Sequence, residues 1–274
     1  MTKLEERQDP NWVRMAAEAH TLYVIRGMEA VRVNRGRVYK SINGEDLVMD
    51  VYCPPGEARS GPFPAVILVH GGPIPGNLLT PPTDWGLFQS LARLAGASGL
   101  AAIMFNHRFF GPDWVRDAIA DLGDLVAYVR AEAETLGVDG DRLGLWVFSG
   151  GGVLVSGFLR IVPPELRCVV AYYAALHGPT PEFSAAAQLA LNDSGLPPLL
   201  VARSGLDAPQ LNEGIDHFVQ EALKKNAPLE LLNHATGQHG FDFRDDNDRT
   251  RQIVARTFAF LGENLPLRSK RGNC

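Results

Sequence analysis

The sequence predicts an α/β protein with a doubly wound, mostly parallel sheet of about eight strands and an antiparallel hairpin at its start. Two observations support this architecture. Short continuous apolar runs, typical of strands buried on both faces of a parallel sheet, alternate with segments whose apolar residues recur at helical spacing. A hairpin turn signal precedes all of them. Strand–helix alternation of this kind builds a sheet with helices on both faces.

The elements follow in a regular order along the chain. Pro10 suits the first turn of a helix expected over residues 11–26. The pair Asn43-Gly44 lies between two alternating segments and predicts the hairpin. Later strands are expected at residues 64–70, 100–106, 143–148, 167–174, 197–203 and 228–234. Helices are expected at residues 84–97, 115–136, 150–160, 212–225 and 249–263.

The chain has no internal repeat and no linker that would divide it, so we expect a single domain over residues 1–274. Residues 1–27 are expected to form an N-terminal helical extension, and residues 266–274 a flexible tail. Between the expected strands, residues 175–196 leave room for at most a small cap. A chain of 274 residues buries enough surface to need no disulfides.

Composition and charge exclude several classes of protein. Lys and Arg number 26 against 31 Asp and Glu, which gives a net charge of −5 and does not suggest a nucleic-acid partner. The longest apolar runs are too short for a membrane span. The cysteines Cys53, Cys168 and Cys274 are odd in number and lack metal-like spacing, so we expect free thiols. The charged N-terminus does not resemble a signal peptide, and we expect a cytoplasmic protein.

No cofactor and no metal site is expected. The sequence has no phosphate-binding glycine loop, no dinucleotide fingerprint and no metal-ligand spacing. One acidic cluster lacks the EF-hand pattern, and we interpret it as complementing the N-terminus of the last helix. Its members are Asp242, Asp245, Asp246 and Asp248.

The segment LWVFSGGG, residues 145–152, is the first indication of function. An apolar strand runs directly into Ser149, which is followed by three glycines and a predicted helix. A serine in this place either caps the helix or is a nucleophile exposed on a tight turn. The partners that the chain offers decide between these alternatives.

Two such partners follow later strands. Asp207 comes after the expected strand 197–203, and His239 after the expected strand 228–234. A serine hydroxyl needs an imidazole to take its proton, and the imidazole needs a carboxylate to fix its tautomer. The order Ser149, Asp207, His239 along the chain therefore favours a catalytic triad. Other candidates fit this order or its loops less well: His20, His107, His177, His217, His234, Asp193, Glu213 and Asp216.

Four motifs together resemble the α/β-hydrolase superfamily: HGGP at 70–73, FSGGG at 148–152, SGLDAPQ at 204–210 and QHGF at 238–241. The similarity is to compact serine esterases related to dienelactone hydrolase and to the catalytic domain of acyl-peptide hydrolases, and it covers nearly the whole chain. It implies the α/β-hydrolase fold, a triad and an oxyanion hole. The chain departs from the family's G-x-S-x-G elbow at Val147, where a small residue is expected.

An oxyanion hole requires two N–H groups aimed at the substrate carbonyl oxygen. Gly150, the residue after the serine, is expected to supply one. The other is expected from Gly71 or Gly72, because Pro73 has no N–H, and the sequence leaves both open. His70 is expected to brace this loop and not to act as a base.

The predicted function is a carboxylesterase-type serine hydrolase that cleaves esters of small to medium acyl chain through an acyl-enzyme intermediate. The alternatives are a serine peptidase or acyl-aminoacyl hydrolase, and a non-catalytic ligand-binding protein of the same fold. The expected partner is a small-molecule ester, and a homodimer is left open. Aromatic residues that could line an acyl pocket are Trp85, Phe109, Phe110, Trp114, His177 and Phe183.

Overall fold

A computed structural model of the protein describes residues 12–56, 62–76 and 78–267. Within these residues one sheet has the strand order β1-β2-β4-β3-β5-β6-β7-β8. The strands are β1 Arg32–Ile42, β2 Glu45–Cys53, β3 Phe63–Val69, β4 Ala101–Phe105, β5 Val138–Phe148, β6 Leu166–Tyr172, β7 Leu199–Ser204 and β8 Leu229–His234.

The hairpin forms where the sequence predicts it. Asn43 and Gly44 join β1 and β2 with φ angles of 52° and 83°, as a two-residue turn of the favoured hairpin type requires. β2 also pairs antiparallel with β4, whereas β4, β3, β5, β6, β7 and β8 are parallel to one another. The predicted fold class, a mostly parallel sheet of eight strands with an antiparallel start, is confirmed.

The helices are α1 Trp12–Glu18, α2 Gly86–Ala97, α3 Val115–Ala131, α4 Ala133–Leu136, α5 Ser156–Leu159, α6 Ala185–Ala190, α7 Pro209–Lys224, α8 Phe241–Arg244 and α9 Asp248–Asn264. Three of the expected helices differ from the structure by more than a shift of up to three residues at their ends. α1 ends at Glu18 and not at residue 26, and the predicted helix 115–136 is divided at Glu132. The segment after Ser149 begins as a 3-10 helix, Ser149–Val155, and not as the α-helix expected from residue 150. The short helix α8 was not predicted.

Helices cover both faces of the sheet. α1, α2 and α9 pack on one face, and α3, α5, α6 and α7 pack on the other. All seven residues of β3 are buried, as expected of a strand covered on both sides. The carboxyl ends of the parallel strands consequently meet at one edge of the sheet, where the candidate site residues follow.

Residues 175–196, where we expected room for a small cap, contain a 3-10 turn at Pro181–Phe183 and the helix α6. Ala185 and Leu189 of α6 are buried, and the helix packs against α5 and α7. The expected tail, residues 266–274, lies outside the described residues from 268 onwards, as do the first eleven residues of the expected N-terminal extension.

The described residues also bear on two expectations from composition. Cys53 and Cys168 are free thiols, while Cys274 lies outside the described part of the chain. Over residues 12–56, 62–76 and 78–267, the helices lack the combination of length and apolar character that crossing a bilayer requires.

Candidate active site

Ser149 lies on a sharp turn directly after β5. Its φ angle is +50°, in the left-handed region that non-glycine residues seldom adopt. Its carbonyl oxygen accepts a hydrogen bond of 2.8 Å from the N–H of Ala175, in the loop after β6. The turn projects the serine away from the strand, and such backbone strain is concentrated at functional sites.

The glycine run allows this turn to pack closely on the loops beside it. A Cβ on Gly150 would overlap the carbonyl oxygen of Gly72, and a Cβ on Gly151 would overlap that of His70. At Gly152 a Cβ would lie 2.7 Å from the Cβ of Ala174. Side chains at these three positions would therefore push the serine turn away from the loops after β3 and β6.

Val147, the departure from the family elbow, is fully buried in the sheet. It pairs with Val69 of β3 on one side and with Ala171 of β6 on the other. Its side chain belongs to the apolar core on the face covered by α3 and α5. The valine is thus accommodated in the core while Ser149 keeps the positive φ of an elbow residue.

The three predicted triad residues are brought together. The Oγ of Ser149 lies 2.9 Å from Nε2 of His239, and Nδ1 of His239 lies 2.7 Å from Oδ2 of Asp207. Asp207 follows β7 and His239 follows β8, so three strands of the parallel sheet, β5, β7 and β8, deliver the three residues to one edge. A neutral imidazole that donates from Nδ1 to the carboxylate presents its Nε2 lone pair to the hydroxyl.

The two ends of this hydrogen-bond chain differ in exposure. The side chain of Asp207 is only 4% exposed, and its Oδ1 accepts a 2.7 Å hydrogen bond from the N–H of Ala208 at the start of α7. The side chain of His239 is 37% exposed. The carboxylate is therefore fixed in the protein, whereas the imidazole is accessible from solvent, as a group that meets a substrate must be.

Five of the eight competing histidines and acids make contacts away from the triad. His234 is buried and bonds Thr250 through Nε2 at 3.2 Å, and His107 stacks on His70 at 3.8 Å between ring centroids. His217 lies 3.6 Å from Glu221 on α7. Asp193 pairs with Lys225 and Asp216 pairs with Arg203.

Trp85, considered as a pocket wall, is fully buried and donates to the carbonyl of Thr80.

Hydrogen bonds hold the loop that carries His239. Asp245 accepts from the backbone N–H of Gln238 at 2.7 Å and from its side-chain amide at 2.9 Å. The carbonyl of Gln238 accepts from the hydroxyl of Ser204, the last residue of β7, at 3.0 Å. The sequence analysis assigned none of these residues this role, although Ser204 and Gln238 lie in the motifs SGLDAPQ and QHGF. Its interpretation of Asp245 as complementing the N-terminus of α9 was wrong, because Asp245 braces the histidine loop and Asn247 caps α9.

The glycine loop after β3 is oriented by His70. Burial lowers the pKa of His70 to about 4, so its ring is neutral at pH 7. Its Nδ1–H donates to the carbonyl of Gly71 at 2.7 Å. In a trans peptide the carbonyl oxygen and the following N–H point in opposite directions. The hydrogen bond therefore directs the N–H of Gly72 away from the buried histidine.

The loop after β4 supports the glycine loop from the other side. The ring of Phe109 packs so closely on Gly72 that a Cβ there would overlap it, and the carbonyl of Phe109 accepts from the N–H of Ile74 at 2.8 Å. Arg108 anchors this support: its backbone N–H and its Nε donate to Oδ2 of the fully buried Asp121, both at 3.0 Å.

Comparison with known proteins agrees with this architecture. Residues 49–158, less than half of the chain, match the family model BD-FAE, which is of α/β-hydrolase type. No curated protein sequence matches the chain. Many solved structures do, and three of them are forms of one thermophilic esterase, Est2 of the Planctomycetes species Thermogutta terrifontis.

The native form of Est2 is 19% identical, with a TM-score of 0.71 over 89% of this chain and 96% of that one. The propionate-bound form is 20% identical, with a TM-score of 0.71 over 88% and 98%. The form phosphorylated by paraoxon is 20% identical, with a TM-score of 0.70 over 88% and 97%. The sheet topology and these similarities together establish that the chain has the α/β-hydrolase fold.

Proposed function

We propose that the protein is a serine hydrolase that cleaves carboxylic esters of small to medium acyl chain through an acyl-enzyme intermediate. The observation that carries the proposal is the continuous hydrogen-bond chain from Ser149 through His239 to Asp207, with distances of 2.9 and 2.7 Å. Three side chains from distant parts of the sequence meet in the order and with the spacing that acyl transfer requires.

Each of the three residues in this hydrogen-bonded triad has a defined role. His239 takes the proton of Ser149 as the oxygen attacks the ester carbonyl, and then returns it to the leaving alcohol. Asp207 holds the imidazole with Nδ1 protonated and stabilises the imidazolium that forms. Water then attacks the acyl-serine by the same route in reverse, which releases the acid and restores the hydroxyl.

In this proposal, the N–H groups of Gly150 and Gly72 form the oxyanion hole and stabilise the negative charge on the substrate oxygen. Gly150 packs directly against the Gly72 peptide, and the His70 hydrogen bond holds the Gly71 carbonyl on the opposite side. This orientation favours Gly72 over Gly71 as the second donor. Each donor in such a hole stabilises the transition state by about 3 kcal/mol.

The substrate class is supported by the exposed imidazole and by the structural neighbours. Est2 has been solved with bound propionate and with bound butyrate, two short carboxylates. The helix α6, in the segment expected to provide a cap, packs its buried face on the helices beside the sheet. The carboxylates bound to Est2 are therefore what supports a short acyl group.

The test is hydrolysis of p-nitrophenyl esters of increasing acyl length by the wild type and by Ser149→Ala. We expect kcat/KM to be highest for short chains and to fall on the order of 10⁴-fold or more in the variant. Ser98→Ala is the matched control, because Ser98 lies just before β4 at the opposite edge of the sheet.

Other outcomes would favour the alternatives. Faster cleavage of aminoacyl or peptidyl p-nitroanilides than of any ester would identify a peptidase. Equal rates for the wild type and Ser149→Ala would refute the catalytic assignment and indicate a binding protein.

A further inference from the structure

Tyr173 is the first residue beyond β6 and contacts the proposed catalytic histidine. Its ring centroid lies 4.7 Å from that of His239, and the two rings are inclined at 58°. The side chain is 3% exposed, and further contacts to Phe148 and Phe241 enclose it, with centroids 6.3 and 5.5 Å away. These neighbouring rings hold the tyrosine ring in contact with the imidazole.

The backbone of Tyr173 is held in a strained conformation. Its φ angle is +37°, in the left-handed region, although its N–H still bonds the carbonyl of Ala202 on β7 at 2.8 Å. A bulky aromatic residue rarely adopts such an angle, and the cost persists only where surrounding contacts impose it. Here the sharp turn at the end of β6 aims the ring at the histidine.

The hydroxyl of Tyr173 ends on a buried carboxylate. It donates to Oδ1 of Asp242 at 2.7 Å. Asp242 lies three residues after His239 in α8, is fully buried, and its Oδ2 has no hydrogen-bond partner among the described residues. Burying a carboxylate with only one oxygen hydrogen-bonded costs folding free energy. A buried carboxylate of this kind next to the site therefore needs an explanation.

We infer that Tyr173 and Asp242 form a second support for His239, in which the Asp242 carboxylate fixes the tyrosine ring against the imidazole and stabilises the imidazolium by its charge. This inference rests on the proposed function, because it concerns the proton transfer at His239. Both are positioning residues, since neither touches Ser149 in the structure's hydrogen bonds.

Two physical effects act in the same direction. A cation within about 6 Å of an aromatic centroid is attracted by the ring. The negative charge of Asp242 and the positive charge of a protonated His239 also attract, and this attraction opposes the rise in the pKa of Asp242. Both effects favour the charged form of His239 that exists only after it has taken the serine proton, so they accelerate the chemical step and not substrate binding.

The charged groups around Asp242 set its ionisation. Burial raises its pKa to about 6, while the hydrogen bond from Tyr173 and the charge of His239 lower it and the charge of Asp245 raises it. Burial also raises the pKa of Tyr173 well above its ordinary value, and the charges of Asp242, Tyr172 and Asp207 add to this effect. The tyrosine is thus a neutral donor, and the carboxylate ionises near pH 6.

The test compares Tyr173→Phe and Asp242→Asn with two matched controls, using p-nitrophenyl butyrate as the substrate. Tyr172→Phe removes the neighbouring buried hydroxyl, which bonds Thr257 and not the site. Asp246→Asn removes an exposed carboxylate four residues from Asp242, which pairs with Arg251. Thermal unfolding of each variant establishes that it is folded under the assay conditions.

We expect both test variants to lose about tenfold in kcat with little change in KM, and both controls to keep the wild-type kcat. The acid limb of log(kcat/KM) against pH should be steeper in the wild type than in Asp242→Asn, because protonation of the Asp242 carboxylate, whose pKa burial raises to about 6, reduces the rate only in the wild type.

Wild-type kcat and an unchanged acid limb in both folded test variants would overturn the inference, and a loss shared equally by the controls would reduce it to a packing effect and overturn it too. If Asp242→Asn does not fold, Tyr173→Phe alone decides by its kcat. Failure of the proposed function has a different signature, because the wild type would then be no faster than Ser149→Ala.

Discussion

The two halves of the candidate site are built by opposite means. On the nucleophile side, Gly71, Gly72 and Gly150 lie so close to their neighbours that a Cβ on any of them would overlap another residue. On the base side, hydrogen bonds hold the histidine loop: Asp245 accepts from Gln238, and Ser204 donates to the Gln238 carbonyl. Glycines thus allow the serine turn to pack closely on the loops beside it, whereas hydrogen-bonded side chains hold the histidine loop.

This difference determines how each half should fail. Steric contact is all-or-none on the scale of one carbon atom, so an added methyl group displaces the serine and the glycine loop together. A hydrogen-bonded support can lose one bond and keep part of its geometry. Substitutions of these glycines should therefore reduce activity most, whereas substitutions of the hydrogen-bonding residues on the base side should reduce it by smaller steps.

The largest effect is expected from Gly150→Ala. The new Cβ would overlap the carbonyl oxygen of Gly72, and the proposed oxyanion donors would move apart. We expect kcat/KM to fall by about 10³-fold. In the control Gly123→Ala the methyl group meets nothing within 4 Å in α3, and we expect unchanged activity. Activity of Gly150→Ala near the wild-type value would refute the steric account of this side.

A smaller effect is expected from Asp245→Asn. The variant weakens both hydrogen bonds to Gln238, which fix the residue before His239. Loss of charge-assisted bonds of this kind should lower kcat by about tenfold without abolishing activity. Measured kcat should remain at the wild-type value in Asp246→Asn, whose carboxylate faces Arg251 at the surface. Complete inactivity of a folded Asp245→Asn would contradict this account, because substitution on the base side would then reduce activity as much as substitution on the nucleophile side.

The dependence of stability on pH tests the buried carboxylate of Asp242 on the base side. Burial raises the pKa of Asp242 from 3.8 to about 6, so the folded protein binds a proton there more tightly than the unfolded chain. The free energy of unfolding should accordingly fall as the pH rises through this interval, and level off above it. Between pH 5 and pH 8 we expect the wild type to lose about 1 kcal/mol more than Asp242→Asn.

Denaturant titrations at the two pH values measure this difference. Parallel pH dependence in the wild type and Asp242→Asn would show that the carboxylate titrates at an ordinary value. Asp246→Asn, with its exposed carboxylate, is the control for the change in net charge.

The smallest effect on activity is expected from Val147→Ala. Val147 is fully buried between β3 and β6, so the truncation should cost about 2 kcal/mol of stability. The elbow geometry does not depend on a small residue here, and we expect kcat/KM within about twofold of the wild type. A large gain in activity would mean that the valine distorts the serine turn, contrary to the structure.

Much of the fold and of the site could be predicted from the sequence. The buried strands were evident because continuous apolar runs such as residues 64–70 have few alternatives, and Asn43-Gly44 defines its turn by backbone preference. The grouping of Ser149, Asp207 and His239 followed from topology, since residues after parallel strands share one edge.

Other features depend on packing that no local pattern encodes. The 3-10 start after Ser149 results from glycines pressed against the loops after β3 and β6. The sequence shows that Asp242 and Asp245 lie just before α9, so we grouped them with that helix. It does not show that Asp242 contacts Tyr173 and that Asp245 contacts Gln238. The hydrogen bond from His70 to the Gly71 carbonyl, on which our proposal of Gly72 as the second oxyanion donor rests, is likewise a contact that the sequence does not encode.

The most direct test of the account is reaction with a fluorophosphonate probe followed by mass spectrometry of the labelled peptide. We expect a single adduct on Ser149 in the wild type, much slower labelling of His239→Ala, and no labelling of Ser149→Ala. Folded wild-type protein that forms no adduct, or one on a different residue, would contradict the claim that these three side chains make Ser149 a nucleophile.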